Sequence, residues 1–245
     1  MPTVITEIGP RIYRLSTFVP DQLPGGFTFN QFLIDAEQPL LFHTGMRGLY
    51  ASVSEAASRV LPLERLRWVS FGHVEAYECG SMNSWLAAAP AAQVLHGQVG
   101  CMVSLGDLAD RPPRPLADGE TLDLGGRRVR LYATPHVPHA WEAIVLYEET
   151  TRTLFCGDLF THAGNGPAVI ESDVAGPALA FERALPGATA LTPATAPTIR
   201  RLAALEPATL AVMHGSSFRG DCAAQLRALA DGFEAMYRES GAAAG

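Results

Sequence analysis

Apolar and polar positions along the chain follow two patterns, which divide it into short strands and a few helices. Apolar or alternating runs predict strands at 11–15, 28–34, 40–43, 67–71, 93–96, 120–124, 127–133, 142–148, 152–156 and 208–213. Longer periodic stretches predict helices at 48–60, 81–89, 97–104, 194–205 and 221–239. Gly125-Gly126 is a strong signal for a hairpin turn between two of the strands.

The order of these elements predicts the architecture. Strands come first, strand and helix then alternate, and further strands precede a long helix near the end. That order favours an α/β (α+β) fold in which two sheets are covered by helices on the outside. The chain has 245 residues and no internal repeat, so we expect a single domain over 1–245. The Pro-rich segment 111–115 is predicted to be a surface loop, and residues 241–245 are expected to fray.

Composition and charge narrow the classes of partner. Hydrophobic residues make up 48% and charged residues 18% of the chain, which is typical of a globular core. The net charge of −7 gives no basic face for nucleic acid. No run of 18 apolar residues is present, so we expect no membrane span. The N-terminal stretch lacks the pattern of a secretory signal, and we therefore expect a cytoplasmic protein.

The strongest chemical signal is the segment 71–80, FGHVEAYECG, which directly follows a predicted strand. It places metal-competent side chains at His73, Glu75 and Glu78. In an extended chain, positions i and i+2 share a face, so His73 and Glu75 can point the same way. The segment therefore predicts one side of a metal site.

Metal-competent side chains follow predicted strands at three further points. His136 and His139 come after the strand at 127–133, Asp158 after the strand at 152–156, and His214 after the strand at 208–213. Strand ends in a layered α/β fold can converge on one edge, and this is how such folds assemble a site from distant parts of the sequence. We therefore expect these residues to meet His73 and its neighbours.

The order of these residues resembles that of the metallo-β-lactamase superfamily, which has an HxHxDH-type loop, a later His, a bridging Asp and a final His. HxE in place of HxH is similar to the di-iron branch, which comprises flavodiiron proteins and stand-alone oxygen-binding di-iron proteins. The segments 30–34 (NQFLI), 41–45 (LFHTG), 157–160 (GDLF) and 213–216 (MHGS) also resemble that branch. The resemblance covers roughly residues 10–235 and implies a four-layer αββα sandwich.

The resemblance also implies a ligand set. His73, Glu75 and one histidine of 136–139 would bind the first metal, and Asp158 would bridge to the second. His139 is favoured over His136, since residues 140–143 (AWEA) best match the sequence that follows the family ligand; the other histidine would line the pocket.

Glu78 and His214 would bind the second metal, with Tyr77 nearby. Glu78 stands where flavodiiron proteins have His, and Tyr77 stands where the family usually has Asp. Tyr77 is therefore predicted to ligate as a phenolate, to hydrogen-bond a bound water or to leave an open position; packing in the core is the other reading. His162 is predicted to border the pocket.

Three histidines and three carboxylates favour iron, because hard oxygen donors suit iron or manganese better than zinc. Zinc or manganese stays the alternative. His43 is predicted to be a buried hydrogen-bonding histidine or a partner of a ligand, and His96 is predicted to be structural. The four cysteines, at 79, 101, 156 and 222, form no CxxC pair and are expected to be reduced and buried. A redox role for Cys79 or Cys156 is the less favoured alternative.

Three functions are compatible with such a site. The first is binding and reduction of O2 or NO at a di-iron centre, with electrons from a rubredoxin or flavin reductase. No flavodoxin-like segment follows, so no flavin is expected on this chain. The second is hydrolysis of an ester, thioester, lactam or phosphodiester by a two-metal site. The third is a non-enzymatic oxygen sensor. Flavodiiron relatives also imply a homodimer.

Overall fold

The computed structural model describes residues 1–242, and two seven-stranded sheets form its centre. The first sheet contains, in spatial order, β1 (Thr3–Gly9), β2 (Ile12–Val19), β3 (Phe27–Ile34), β4 (Leu40–Phe42), β5 (Trp68–Ser70), β6 (Gln93–Gly97) and β7 (Arg114–Leu116). Strands β1 to β4 pair antiparallel, whereas β4 to β7 pair parallel. The parallel half needs crossover connections, and these supply the helices on the outer face of this sheet.

The second sheet has the spatial order β12-β14-β13-β11-β10-β9-β8. Its strands are β8 (Thr121–Asp123), β9 (Arg128–Ala133), β10 (Ile144–Glu148), β11 (Thr153–Phe155), β12 (Val169–Ile170), β13 (Thr209–Ala211) and β14 (Ser217–Arg219). β11 pairs parallel with β13, so both strands end at the same edge. This shared edge brings the segments that follow β11 and β13 together.

The helices are α1 (Tyr50–Ser58), α2 (Ala76–Cys79), α3 (Met82–Ala88), α4 (Gln98–Gly100), α5 (Gly106–Leu108), α6 (Ala175–Ala184), α7 (Thr195–Ala203) and α8 (Cys222–Ala242). A π-helical stretch, Cys101–Leu105, joins α4 to α5. Within residues 1–242, no helix combines the length and apolar character needed to cross a bilayer.

Three apolar cores stack the elements into four layers. The middle core lies between the two sheets and contains Phe32 and Phe42 of the first sheet against Phe155 of the second. A second core packs α1 and α3 on the first sheet, and a third packs α6, α7 and α8 on the second. The αββα sandwich that the sequence predicts is therefore confirmed. β3 is buried along its whole length because both of its faces meet a core.

The structure corrects several predictions of local structure. β1, β14 and α6 were not predicted, and the Pro-rich segment 111–115 is not only a loop, because residues from Arg114 onward form the edge strand β7. Proline is tolerated at a sheet edge, where its missing N–H costs no ladder hydrogen bond. Residues 241 and 242 continue α8, and the rest of the segment expected to fray lies outside the described residues.

All four cysteines are unpaired. Cys101, Cys156 and Cys222 are buried as predicted, whereas Cys79 is only half-buried because it ends the short helix α2 near the surface.

Candidate metal centre

Four chain segments at one edge of the two sheets carry the candidate ligands. The loop after β5 holds His73 and leads through Glu75, which has an extended backbone, into α2. The β9–β10 connection holds His139, the turn after β11 holds Asp158, and the loop after β13 holds His214. The first loop belongs to the first sheet and the other three belong to the second, so the site lies where the two sheets meet.

The structure brings one histidine pair and two carboxylates together. His73 Nε2 lies 2.9 Å from His139 Nε2 and 3.3 Å from Glu75 Oε2. Asp158 Oδ2 lies 3.9 Å from His73 Nε2 and 3.6 Å from His139 Nε2. Donor atoms of His73, Glu75 and His139 lie within 4.8 Å of one another, close enough to hold one ion, and Asp158 Oδ2 lies beside the two histidines.

Asp158 also faces a second histidine. Its other oxygen, Oδ1, lies 3.4 Å from His214 Nε2, and this oxygen is buried without a hydrogen-bond partner among the described residues. A buried carboxylate oxygen without a partner is costly unless a proton or a cation satisfies it. Asp158 thus presents one oxygen to each side, which is the arrangement that a bridging ligand requires.

The three histidines are oriented alike. His139 Nδ1 donates to the carbonyl of Ala188 at 2.8 Å, and His214 Nδ1 donates to the carbonyl of Thr28 at 2.8 Å. His73 Nδ1 lies 3.3 Å from Glu78 Oε1. An acceptor at Nδ1 fixes the ring and its tautomer, so the lone pair of Nε2 points into the site. The donor set of imidazole nitrogens and carboxylate oxygens therefore fits a divalent metal.

The carboxylates dominate the electrostatics of the site. Burial disfavours the charged form of His73, but the charge of Glu78 and hydrogen bonds to Glu75 and Glu78 raise its pKa to about 12. Hydrogen bonds from His139 and His73 lower the pKa of Glu75 to about 2. Burial and the charge of Glu78 raise the pKa of Asp158. Concentrated negative charge at a buried point attracts a cation strongly.

Glu78 lies behind His73, away from the point that the Nε2 atoms face. It is fully buried, and its Oε2 accepts the main-chain N–H of His73 at 2.6 Å. His43 Nδ1 lies 3.5 Å from the same oxygen. His43 is buried as predicted, but the predicted hydrogen bonding is wrong, because neither ring nitrogen has a hydrogen-bond partner among the described residues. A Glu78 oxygen also falls within 4.8 Å of a ligand atom of Asp158, so distance alone does not assign its role.

Tyr77 lies at the opening of the site. Its hydroxyl accepts a hydrogen bond from Gln22 Nε2, and its ring packs edge-on against Phe29 at 5.1 Å. The Tyr77 side chain lines a cavity together with Glu75, Asp158 and His214. Because Gln22 is the donor in this pair, the hydroxyl hydrogen of Tyr77 stays free to be donated elsewhere.

The cavity has a volume of about 230 Å³ and connects the candidate ligands to an apolar wall. Phe27 stacks on His214 with ring centroids 4.2 Å apart and on Phe181 of α6 at 5.9 Å. Leu185 and Phe233 complete much of the wall. One buried carboxylate, that of Glu182, also lines it, and this group already accepts hydrogen bonds from the N–H and hydroxyl of Thr189.

Two predicted site residues lie elsewhere. His136 is exposed and belongs to neither group of potential ligands, so the structure favours His139 of the two. His162 Nδ1 donates to the carbonyl of Phe160, and its Nε2 accepts from the N–H of Ser216. Both ring nitrogens are thus used to hold two loops together. Gly215 packs directly on this ring, because a Cβ there would lie 2.3 Å from it.

The sequence analysis missed the groups that orient the ligands. The carbonyls of Thr28 and Ala188 are main-chain atoms, and no residue type signals them. Gln22 lies in a loop with no nearby motif, and the wall formed by α6 belongs to a helix that was not predicted. A prediction of helix α6 from the sequence would have been the only indication of the apolar cavity wall.

A family model described as "ODP family beta lactamase" matches residues 27–215. The chain is 28% identical over 142 residues to diflavin flavoprotein A 2 of Synechocystis sp., which covers 57% of this chain and 24% of that protein. It is 26% identical over 139 residues to the rubredoxin-oxygen oxidoreductase of Megalodesulfovibrio gigas, covering 56% and 34%. The matches thus span a quarter to a third of the length of these curated relatives.

Solved structures share the fold. A fragment of diflavin flavoprotein A 5 from Nostoc sp. has a TM-score of 0.82 at 19% identity and covers 98% of both chains. The Flv1 flavodiiron core from Synechocystis sp. has a TM-score of 0.81 at 21% identity and covers 95% of this chain and 61% of that one. The family match extends over most of the chain and contains every candidate ligand, and the chain therefore belongs to the ODP family of β-lactamase-fold proteins, whose structural neighbours are flavodiiron cores.

Proposed function

We propose that this chain holds two iron ions and uses them to bind and reduce O2 or NO with electrons from a separate protein. The observation that carries the proposal is the common orientation of His73, His139 and His214 around the two oxygens of Asp158. His73, Glu75 and His139 would hold one ion, His214 would hold the other, and Asp158 would join them. The two carboxylates of this set, Glu75 and Asp158, are hard oxygen donors and support iron or manganese over zinc.

When bound, a ferrous pair supplies a place for a diatomic molecule and a source of electrons. The residues of the chain supply the rest. Tyr77 offers its hydroxyl hydrogen to a ligand in the cavity, and Gln22 holds that hydroxyl in place. The apolar wall excludes water, which strengthens every hydrogen bond made inside the cavity.

The donor protein and solvent supply the electrons and protons that convert O2 to water, or two molecules of NO to nitrous oxide and water. A rubredoxin-like donor is supported by one relative, a rubredoxin-oxygen oxidoreductase, and a flavin-containing reductase is the alternative donor.

The test combines metal content with turnover. Protein purified without added metal is expected to contain two irons per chain, and the reduced protein is expected to consume O2 or NO continuously when a rubredoxin and its reductase are supplied. Two zincs per chain would contradict the proposal. Tight gas binding without sustained consumption would instead support the role of an oxygen sensor.

A second candidate function, metal-assisted hydrolysis, is favoured by the size of the cavity. A cavity of about 230 Å³ is far larger than the roughly 10–15 Å³ that a water-sized molecule needs. Its apolar wall would suit the hydrocarbon part of a small ester, thioester or lactam. Zinc-loaded protein that cleaves such compounds, and loses this activity in Asp158→Asn, would place hydrolysis ahead of gas reduction.

A further inference from the structure

We infer that Glu78 is a positioning residue that acts through His73, and that it is not a ligand of the second metal. The inference rests on the proposed two-metal centre but concerns residues of this chain alone. In this role Glu78 would orient the ring of His73, as main-chain carbonyls orient the rings of His139 and His214. The two metal positions would then differ in their affinity for metal.

The Glu78 carboxylate contacts the backbone N–H and the Nδ1 side of His73, and one of its oxygens also lies within 4.8 Å of a ligand atom of Asp158. Oε2 accepts the main-chain N–H of His73 at 2.6 Å, and Oε1 faces Nδ1 of the same residue at 3.3 Å. One carboxylate therefore bonds the backbone of His73 through Oε2 and faces its ring with Oε1, which makes no hydrogen bond among the described residues. His43 Nδ1, 3.5 Å from Oε2, closes the third side. His73, Glu78 and His43 are all almost completely buried, so solvent does not compete for these contacts.

Two glycines leave room for the Glu78 carboxylate. A Cβ at Gly72 would lie 2.8 and 2.9 Å from its two oxygens, and a Cβ at Gly157 would lie 3.5 Å from Oε1. The backbone of Glu78 is fixed as well, because its carbonyl accepts hydrogen bonds from Thr44 N at 2.7 Å and Thr44 Oγ1 at 3.0 Å. These contacts favour the position of the carboxylate beside His73.

The comparison among the three histidines supports this assignment. Each has an oxygen beside Nδ1 and leaves Nε2 for the metal. The carbonyls of Ala188 and Thr28 accept hydrogen bonds from His139 and His214 at 2.8 Å, and Glu78 Oε1 lies 3.3 Å from Nδ1 of His73. A carboxylate is the strongest of these acceptors, because it carries a charge and makes the imidazole a better donor. Glu78 thus tightens the first metal position.

The second metal position is weaker as a consequence. Among the described residues, the structure directs Asp158 Oδ1 and His214 Nε2 to it, with the Tyr77 hydroxyl nearby. The first position has His73, Glu75, His139 and Asp158 Oδ2. We therefore expect metal to bind in two steps, with the first step the tighter.

The experiment is a titration of metal-free protein with cobalt(II), read by visible absorption, by metal content and by competition with a chelator. In Glu78→Gln, the first dissociation constant is expected to rise about 10- to 100-fold, as for other residues that orient a metal-ligating histidine. Two cobalt ions should still bind at saturation. Loss of the second ion with an unchanged first dissociation constant would identify Glu78 as a ligand of the second metal and overturn the inference.

Glu142→Gln is the matched control. Glu142 is a second buried carboxylate, in the β9–β10 connection, and it accepts the N–H of Val74, a residue of the loop that carries His73, at 3.0 Å. Its substitution should change neither dissociation constant. Glu78→Asp keeps the negative charge on a shorter side chain. If the Gln variant fails to fold, the two cobalt dissociation constants of Glu78→Asp are compared with those of the wild type instead.

The outcome separates this inference from the proposed function. Wild-type protein that binds one cobalt ion even at saturation would contradict the two-metal centre. In that case a weaker single site in Glu78→Gln would still support the positioning role of Glu78, and an unchanged one would exclude it.

Discussion

Tyr77 and His96 illustrate two roles of individual side chains, one at the cavity of the candidate centre and one in the buried interior. Tyr77 stands where the family usually has Asp, and its hydroxyl reaches the cavity while Gln22 occupies its acceptor side. His96 lies on β6, is completely buried, and packs its ring 5.1 Å from Phe71. We therefore expect the first residue to affect the chemistry of the cavity and the second to affect the stability of the fold.

Tyr77→Phe removes a hydroxyl without changing the shape of the ring. We expect the rate of gas reduction to fall at least about 10-fold, because the hydrogen bond or proton given to the bound molecule is lost. Two metals should remain bound. Tyr147→Phe, which removes a hydroxyl bonded to the distant carbonyl of Leu205, should leave the rate unchanged. Loss of one metal from Tyr77→Phe would instead show that the phenolate is a ligand.

We expect the protonation of His96 to affect how the free energy of unfolding changes with pH. Burial lowers the pKa of His96 to about 4, below the value of 6.5 expected in the unfolded chain. The unfolded chain therefore binds the proton more readily between these values. The contribution of neutral His96 is complete above pH 6.5 and is lost as the pH falls towards 4, by about 3 kcal/mol at most.

Chemical unfolding at pH 4.5 and pH 7.5 measures this effect. His96→Leu should lose less free energy of unfolding between the two pH values than the wild type loses. An equal loss in the two proteins would show that His96 does not contribute. Carboxylates titrate in both proteins, so their effect cancels in the comparison.

The element that matters most is the loop from β5 into α2, which carries His73, Glu75, Tyr77 and Glu78 within six residues. Its shape depends on close approach of the chain to itself. Gly72 faces the Glu78 carboxylate, and the carbonyl of Gly72 accepts the N–H of Ile144 at 2.8 Å, which ties the loop to the second sheet. Backbone packing therefore sets the direction of each side chain in the loop.

Gly72→Ala should disturb this loop. The new Cβ would lie 2.8 to 2.9 Å from the oxygens of Glu78, so we expect a loss of about 1–3 kcal/mol in the free energy of unfolding and weaker metal binding. Gly48→Ala is the matched control, because nothing lies within 4 Å of a Cβ there. Equal unfolding free energies for the two variants would contradict this account of the loop.

The sequence predicted much of this element and of its counterparts. Apolar runs followed by His73, Asp158 and His214 signalled strand ends, because strand periodicity and ligand chemistry are both local properties of the chain. The direction of Glu78 was not predictable in that way. It depends on Gly72 and His43, which lie against the carboxylate, and on Thr44, which bonds the backbone carbonyl of Glu78; all three are placed by the packing of neighbouring elements.

Other failures have similar physical causes. β1 alternates only weakly between apolar and polar residues, and it is fixed by pairing with β2 rather than by its own pattern. β14 has three residues, too few for a periodic signal. His136 and His139 are both metal-competent in sequence, and only the turn of the β9–β10 connection separates the exposed ring from the inner one. The homodimer that the resemblance implies stays a prediction.

At the scale of the whole molecule, the candidate centre connects the two sheets. His73 and Glu75 follow β5 of the first sheet, while Asp158 and His214 follow β11 and β13 of the second. The middle core already holds the sheets together through the contacts of Phe155 with the first sheet. Bound metal would add a second connection at the edge of the sandwich, where the loops are already joined by hydrogen bonds and by contacts between rings such as those of His73 and His139.

Metal removal should therefore lower the thermal stability of the entire fold. A ligand present at 100 times its dissociation constant stabilises the native state by about 2.7 kcal/mol. For a chain of this size, such a change shifts the melting temperature by roughly 5–10 °C. We expect a chelator to lower the melting temperature by that amount and added Fe²⁺ under anaerobic conditions to restore it. An unchanged melting temperature would indicate that the metal does not bridge the two sheets.

The stack of Phe27 on His214 and Phe181 has a consequence for communication inside the molecule. The three rings are nearly parallel, with interplanar angles of 22° and 19°, and they run from a candidate ligand to the cavity wall on α6. Closely packed rings cannot shift independently. A molecule in the cavity that displaces Phe181 must therefore also move Phe27, which stacks on His214. A larger occupant would thus shift the candidate metal position more than a smaller one.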